Sequence, residues 1–226
     1  MSLFNASTPG SLREFTGRDA LLGVAKREVP KGADAFFNQL MKHPFAISGT
    51  VSKVSAVYDI EALLDSNIPE ALKAHSFCSL WIEDMAEISR LFSDIQKSKS
   101  IGFWLGTQRG CRRYHADNVP LRMLVTYAGK GTEWLPDFAA DRQAFSNGAP
   151  NEQIVKDPTA LQYMNKWDVA IFRGGPRGLL HRTPDDAMSK PSVMMRLDHA
   201  SFWENVRKLG SGNAQLFRSE PASRTA

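Results

Sequence analysis

Between residues 77 and 97 apolar side chains recur every three or four positions, and from Ser100 onward they recur every two. Cys78, Trp81, Met85, Ile88, Phe92 and Ile95 form the first series, with Glu83, Asp84, Glu87, Arg90 and Asp94 between them. This spacing predicts an amphipathic helix over about 77–97 whose apolar stripe needs a flat apolar partner, most simply the outer face of a sheet. The later runs are short, rich in β-branched and aromatic residues, and bounded by Gly, Pro and Asn. They are "SIGFWLGTQ" (100–108), "RRYHAD" (112–117), "LRMLVTYAG" (121–129), "WDVAIFRGG" (167–175) and "SVMMRLDHASFW" (192–203). In residues 121–127, Leu121, Met123, Val125 and Tyr127 share one face, and Arg122, Leu124 and Thr126 the other, which is the period of a strand. No helix follows each strand. The pattern therefore favours an antiparallel sandwich or barrel over alternating strand–helix units.

The rest of the chain is organised around that block. Residues 1–30 show no sustained period and are expected to be irregular. "GADAFFNQLMKHP" (32–44) predicts a short helix ended by Pro44, and "AISGTVSKVS" (46–55) reads as a strand or a loop. Residues 130–166 form a long excursion, expected to act as a lid or pocket wall. The tail over 210–226 reads as flexible. The expected organisation is an irregular N-terminal segment, one β-barrel domain with flanking helices over 31–209, and the tail. Two cysteines without a CxxC argue against a disulfide scaffold and a zinc ribbon. With no leader-like or membrane-spanning run, the expectation is a cytoplasmic protein. A net charge of +4 without a basic, aromatic-studded run gives no nucleic-acid signal.

The chemistry-bearing residues cluster in the β block. On extended backbone, His115 and Asp117 point to the same side. His181, after a later strand and the Gly174–Gly175 turn, supplies a third group. Two histidines and a carboxylate on three vertices of an octahedron leave three positions open, the facial triad of non-haem iron oxygenases. On the following strand Ser192, Met194, Arg196 and Asp198 share a face. An arginine there meets either an anionic ligand, in two-point fashion, or an internal partner such as Asp198 or Glu133. Thr126, Tyr127 and Trp134 are candidate pocket walls, and Cys111 lies close enough in sequence to suit zinc. His43, His75 and His199 are isolated. No GxSxG supports serine hydrolase chemistry.

The order H-x-D, long insert, His, then Arg on the next strand resembles the Fe(II)- and 2-oxoglutarate-dependent dioxygenase superfamily. More closely, "YHADNVPLRMLVTYAGKGTEWLP", "AIFRGGPRGLLHRTP" and "RLD" resemble an uncharacterised bacterial family catalogued as a domain of unknown function, often encoded near zinc-homeostasis genes. The closer likeness runs over roughly residues 30–205. It implies an α+β fold built on a double-stranded β-helix, the cupin-like jelly roll, with N-terminal helices packed outside. His115, Asp117 and His181 would hold Fe(II), Arg196 would pair with the far carboxylate of 2-oxoglutarate, and Ser192 would assist. The loop "RTPDDAMSKP" between His181 and Arg196 is longer than the superfamily usually has, so Arg122 and Arg182 stand beside Arg196 as anion partners, and Tyr127 joins them as a cofactor-contact candidate. The expected function is oxygenation of an unidentified small molecule or peptide. The alternatives are a zinc-binding protein of metal homeostasis and, below it, a metal-dependent hydrolase.

Overall fold

The computed structural model describes residues 2–202, and the expectation of a flexible tail over 210–226 lies outside them. The fold is mixed α+β around a seven-stranded, mostly antiparallel sheet and a second sheet of three short strands.

The chain opens with strand β1 (Ser2–Ala6), a 3-10 helix (Pro9–Gly17) and strand β2 (Ala20–Ala25). The expected irregular segment over 1–30 is thus corrected. β2 has all six residues buried and lies inside the large sheet between β1 and a later strand. A strand covered on both faces carries no polar–apolar alternation, so the period that reveals a half-exposed strand is missing from "ALLGVA".

Helix α1 (Ala33–Leu40) confirms the short helix read from residues 32–44, and strand β3 (Ala46–Ser52) resolves the next segment as a strand. Helices α2 (Ala56–Asp65) and α3 (Glu70–Lys73) lead into α4 (Ser76–Gln96). His75 caps α4, its Nδ1 accepting the Phe77 N–H at 3.0 Å. The helix stops where Lys97 enters the left-handed region at φ 50°. Its buried stripe includes Trp81, Met85, Ile88 and Phe92, which share one cluster with Ile101, Phe103, Met123, Val125, Met195 and Leu197 of the large sheet. The apolar helix face therefore rests on one side of that sheet, as the spacing predicts.

Strands β4 (Ser100–Gly106), β5 (Leu121–Ala128), β6 (Glu133–Leu135), β7 (Gln162–Tyr163), β8 (Val169–Arg173), β9 (Leu180–Arg182) and β10 (Val193–His199) complete the two sheets. The large sheet runs β1-β2-β8-β5-β10-β4-β3, and the small one β7-β6-β9. Only β1 and β2 pair in parallel among these strands. Leu22, Val24, Leu124, Ala170 and Phe172, from the large-sheet face turned away from α4, pack with Met164, Leu179 and Trp134. That second apolar layer ties the two sheets together, and the site lies beside it.

One further expectation changes. Residues 112–117 form no strand; His115 alone bridges to His181. The chain then turns through Asp117–Pro120 against the β8–β9 turn, where the Gly175 N–H donates to the Asp117 carbonyl at 2.6 Å. Residues 130–166, the expected lid or pocket wall, are folded. They contribute β6 and β7, and their Leu135, Ala139, Ala140 and Ile154 form a small core together with Tyr114 and Leu180.

Candidate metal centre

The two histidines are placed by the backbone. The His115 N–H donates to the His181 carbonyl at 3.0 Å, and the His181 N–H donates back to the His115 carbonyl at 3.0 Å. Residues exchanging both bonds across an antiparallel pair stand directly opposite each other with side chains on one face. Their rings lie 4.4 Å apart. Asp117, two residues beyond His115, turns its carboxylate between them: Oδ1 lies 3.6 Å from His115 Nε2, and Oδ2 lies 3.6 Å from His181 Nε2.

The donor set is oriented as a ligand set requires. His115 Nδ1 is 3.0 Å from the Arg113 carbonyl, and His181 Nδ1 is 3.1 Å from the Leu179 carbonyl. A carbonyl only accepts, so in the neutral ring Nδ1 carries the proton and Nε2 keeps its lone pair toward Asp117. Metal-bound histidines are fixed by this kind of outer contact. Burial, opposed by the Asp117 charge, lowers the His181 pKa to about 4, so its ring is neutral near pH 7. Burial alone would raise the Asp117 carboxyl, but His181, Arg122 and His115 hold it below its ordinary value. Asp117 Oδ2 is buried without a hydrogen bond. One ligand atom from each of His115, Asp117 and His181 lies within 4.8 Å of the others. A carboxylate set between two imidazole lone pairs, with one buried oxygen lacking a hydrogen bond, fits a divalent cation.

Arg122 fixes the other carboxylate oxygen. It is buried, with Nη1 2.6 Å from Asp117 Oδ1 and Nε 2.7 Å from Asp198 Oδ1. Burial would lower its pKa, but Asp198 and Asp117 raise it above the ordinary value. Arg196 lies beside them, its Nε 3.1 Å from Asp198 Oδ2 and its guanidinium over the Trp104 ring. The internal partner foreseen for Arg196 is thus Asp198. The other, Glu133, is engaged by Arg182, whose Nε donates to it at 2.7 Å, and by the Tyr114 hydroxyl.

A cavity of about 140 Å³ opens beside the triad, lined by His115, His181, Arg109, Arg122, Arg182 and Arg196 among others, with no carboxylate residue in its lining. Four sequence-derived contacts are corrected here. Tyr127 lies in the α4-facing core and donates to Asp84 at 2.8 Å. Ser192 precedes β10 and, although buried, does not line the cavity. Thr126 and Trp134 are not in the lining either; Trp134 borders a separate apolar cavity. Alternation along β5 already excludes Tyr127, because it shares a face with Met123 and Val125 and opposes Arg122. Arg109 was missed, since it sits in a loop without periodicity. Cys111, with φ 65°, lines the cavity but is not in the three-residue cluster.

The solved structures most similar in shape include the Fe(II)/(alpha)ketoglutarate-dependent dioxygenase TqaL, at 12% identity, TM-score 0.40, covering 75% of this chain and 74% of that one. IDO from Bacillus thuringiensis matches at 9% identity and TM-score 0.40, over 83% and 95% of the two chains. AtDAO1, the dioxygenase for auxin oxidation 1 from Arabidopsis thaliana, matches at 9% identity and TM-score 0.39, over 88% and 93%. No curated protein matches the sequence. A family model does: with residues 6–198 aligned to it, the chain belongs to the DUF1826 family, described as proteins of unknown function.

Proposed function

We propose that this chain is an Fe(II)- and 2-oxoglutarate-dependent oxygenase, with His115, Asp117 and His181 as the iron ligands. The observation that carries the reading is the buried Asp117 carboxylate, its Oδ2 without a hydrogen bond, whose ligand atom lies within 4.8 Å of those of His115 and His181 beside an arginine-lined cavity. In this reading the two sheets are the layers of a double-stranded β-helix, and the metal lies where the β9 bridge meets the mouth between them. Bound Fe(II) with 2-oxoglutarate supplies the oxidising chemistry that hydroxylates a C–H bond. The chain's own residues do the rest. His115 and His181 present lone pairs held by Nδ1–H contacts to backbone carbonyls. Arg122 holds Asp117 Oδ1, leaving Oδ2 for the metal. Arg196 shares Asp198 with Arg122 and lines the cavity, where its fork is the anchor for the far carboxylate of the co-substrate. The apolar wall of Trp104, Leu124 and Met194 excludes water from the reacting centre. We place the reaction in the cytoplasm, in keeping with two free cysteines. Among the described residues no helix is long and apolar enough to cross a membrane.

A second reading, a divalent-metal (zinc) binding protein without turnover, is favoured by one contact: Asp198 already engages Arg196. Calorimetric titration of 2-oxoglutarate into the anaerobic Fe(II)-loaded protein separates the two. The oxygenase reading expects saturable binding and a new visible absorption band. Arg196→Ala should weaken that binding by ~2–4 kcal/mol with metal retained, and Asp117→Ala should lose the metal first. An absence of 2-oxoglutarate binding at millimolar concentration would leave the zinc-binding reading standing.

A further inference from the structure

Arg109 differs from the other arginines of the cavity. Its Nη1 donates to the Lys130 carbonyl at 2.7 Å and its Nη2 to Thr132 Oγ1 at 2.6 Å. Both acceptors are neutral. Its Nε is buried without a hydrogen bond, and among the described residues no carboxylate forms an ion pair with it. Arg122, Arg182 and Arg196, by contrast, each meet Asp or Glu. A guanidinium carries five N–H donors, so three remain here, including the Nε–H that forms one half of a side-on fork for a carboxylate.

Arg109 also stands between two spaces. The triad cavity, at about 140 Å³, is small for a co-substrate and a substrate together. A second cavity of about 400 Å³ shares Gln108 and Arg109 with it. That cavity is partly apolar: Met41, Pro44, Met188 and Pro191 line it together with Thr107, Ser189 and Lys190, and no acidic residue is in its lining. A partly apolar cavity with no acidic residue in its lining, and with an under-compensated guanidinium where it adjoins the triad cavity, suits a molecule with an anionic end and an apolar body. Burial already lowers the Arg109 pKa to about 10, a cost that an incoming anion would offset.

We propose that the Met41–Pro44–Met188–Pro191 cavity is the substrate chamber and that Arg109 binds the carboxylate of an amphiphilic organic acid lying in it. The assignment rests on the oxygenase reading for calling the bound acid a substrate; the binding itself does not require it. A carboxylate is favoured over phosphate because Nη1 and Nη2 are each held by a wall contact, leaving a two-point fork rather than an open cluster of donors.

The test uses octanoate, its neutral counterpart octanamide, and inorganic phosphate as probes. Each is titrated calorimetrically into the full-length metal-loaded protein, with 2-oxoglutarate titrated in parallel. Wild type should bind octanoate at least about tenfold more tightly than octanamide, the scale of one charge-assisted pair, and phosphate should bind no better than octanamide. Arg109→Gln should abolish the preference for octanoate while leaving 2-oxoglutarate affinity unchanged, and Arg109→Lys should retain part of it. Met188→Asp should repel octanoate with the guanidinium intact, and thermal melts of each variant establish that it is folded. Equal binding of octanoate and octanamide, no octanoate binding, or equally tight phosphate binding would each overturn the proposal. So would loss of 2-oxoglutarate rather than octanoate binding in Arg109→Gln, which would make Arg109 the co-substrate's anchor. Arg109-dependent octanoate binding in a wild type that ignores 2-oxoglutarate would sink the oxygenase reading alone and leave the carboxylate site in place.

Discussion

His181 is neutral near pH 7 because burial lowers its pKa from 6.5 to about 4. As pH falls below 6.5 the unfolded chain takes up this proton and the folded chain does not, so stability present above pH 6.5 is lost across the window down to about 4. The loss is on the order of 3 kcal/mol. Urea unfolding of the chelator-treated protein should show it, and His181→Gln should flatten that part of the profile. Asp117, whose folded pKa is depressed, acts in a lower window, its contribution fading as pH drops below the ordinary carboxylate value. Arg122 bridges two buried carboxylates, and removing it leaves both uncompensated. Arg122→Ala should cost ~3–5 kcal/mol in the same urea assay, whereas Arg122→Lys, lacking the planar fork, should recover only part of it.

At the scale of elements, the β8–β9 turn shapes the loop that carries Asp117. A Cβ on Gly174 would sit 2.1 Å from the Val119 carbonyl oxygen and 2.4 Å from that of Asp117. Gly174→Ala should therefore push the Asp117 loop away from His181, with ~3 kcal/mol or more lost in thermal melts and weakened metal binding by titration. Gly148→Ala, at φ +78° with nothing within 4 Å, should cost only about 1–2 kcal/mol and leave the metal alone. The elements legible in the sequence are those whose two faces differ in chemistry: α4 and β10 carry polar residues opposite the core, and β5, although buried on both faces, shows its period because Arg122 and Thr126 share its second face. β2 was hidden because both its faces are covered. Residues 112–117 carry the composition of a strand without the pairing of one, since only His115 makes a bridge. The convergence of His115, Asp117 and His181 was anticipated from spacing and order. Asp198 as the shared partner of Arg122 and Arg196, and Arg109 on a loop, depend on contacts that no local period encodes.

For the whole molecule, the site depends on two sheets keeping their distance. Aromatic packing of Phe37, Trp81, Tyr127 and Trp167 fixes α1 and α4 to one side of the large sheet, and Arg27, bonded to Asp84 and to the Trp167 carbonyl, locks that layer. His115 and His181 lie on the other side, at the edge of the small sheet. A cation that binds only the folded chain should stabilise it by about 2.7 kcal/mol at 100 times its dissociation constant. For a chain of this size that is a rise of roughly 5–10 °C in melting temperature, reversed by chelator and absent in Asp117→Ala. The reciprocal backbone bonds of His115 and His181 bear on how such a protein would be supplied with its cation. Chains that fold around their metal must meet it at synthesis; here backbone bonds hold the two histidines opposite each other, and Arg122 and the Gly175 N–H hold Asp117, so contacts other than an ion position the proposed ligands. Loading then becomes an exchange between a finished protein and whatever pool surrounds it. Since affinity among divalent ions follows the ion more than the site, the occupant of the proposed site would track the supply of zinc and iron around it.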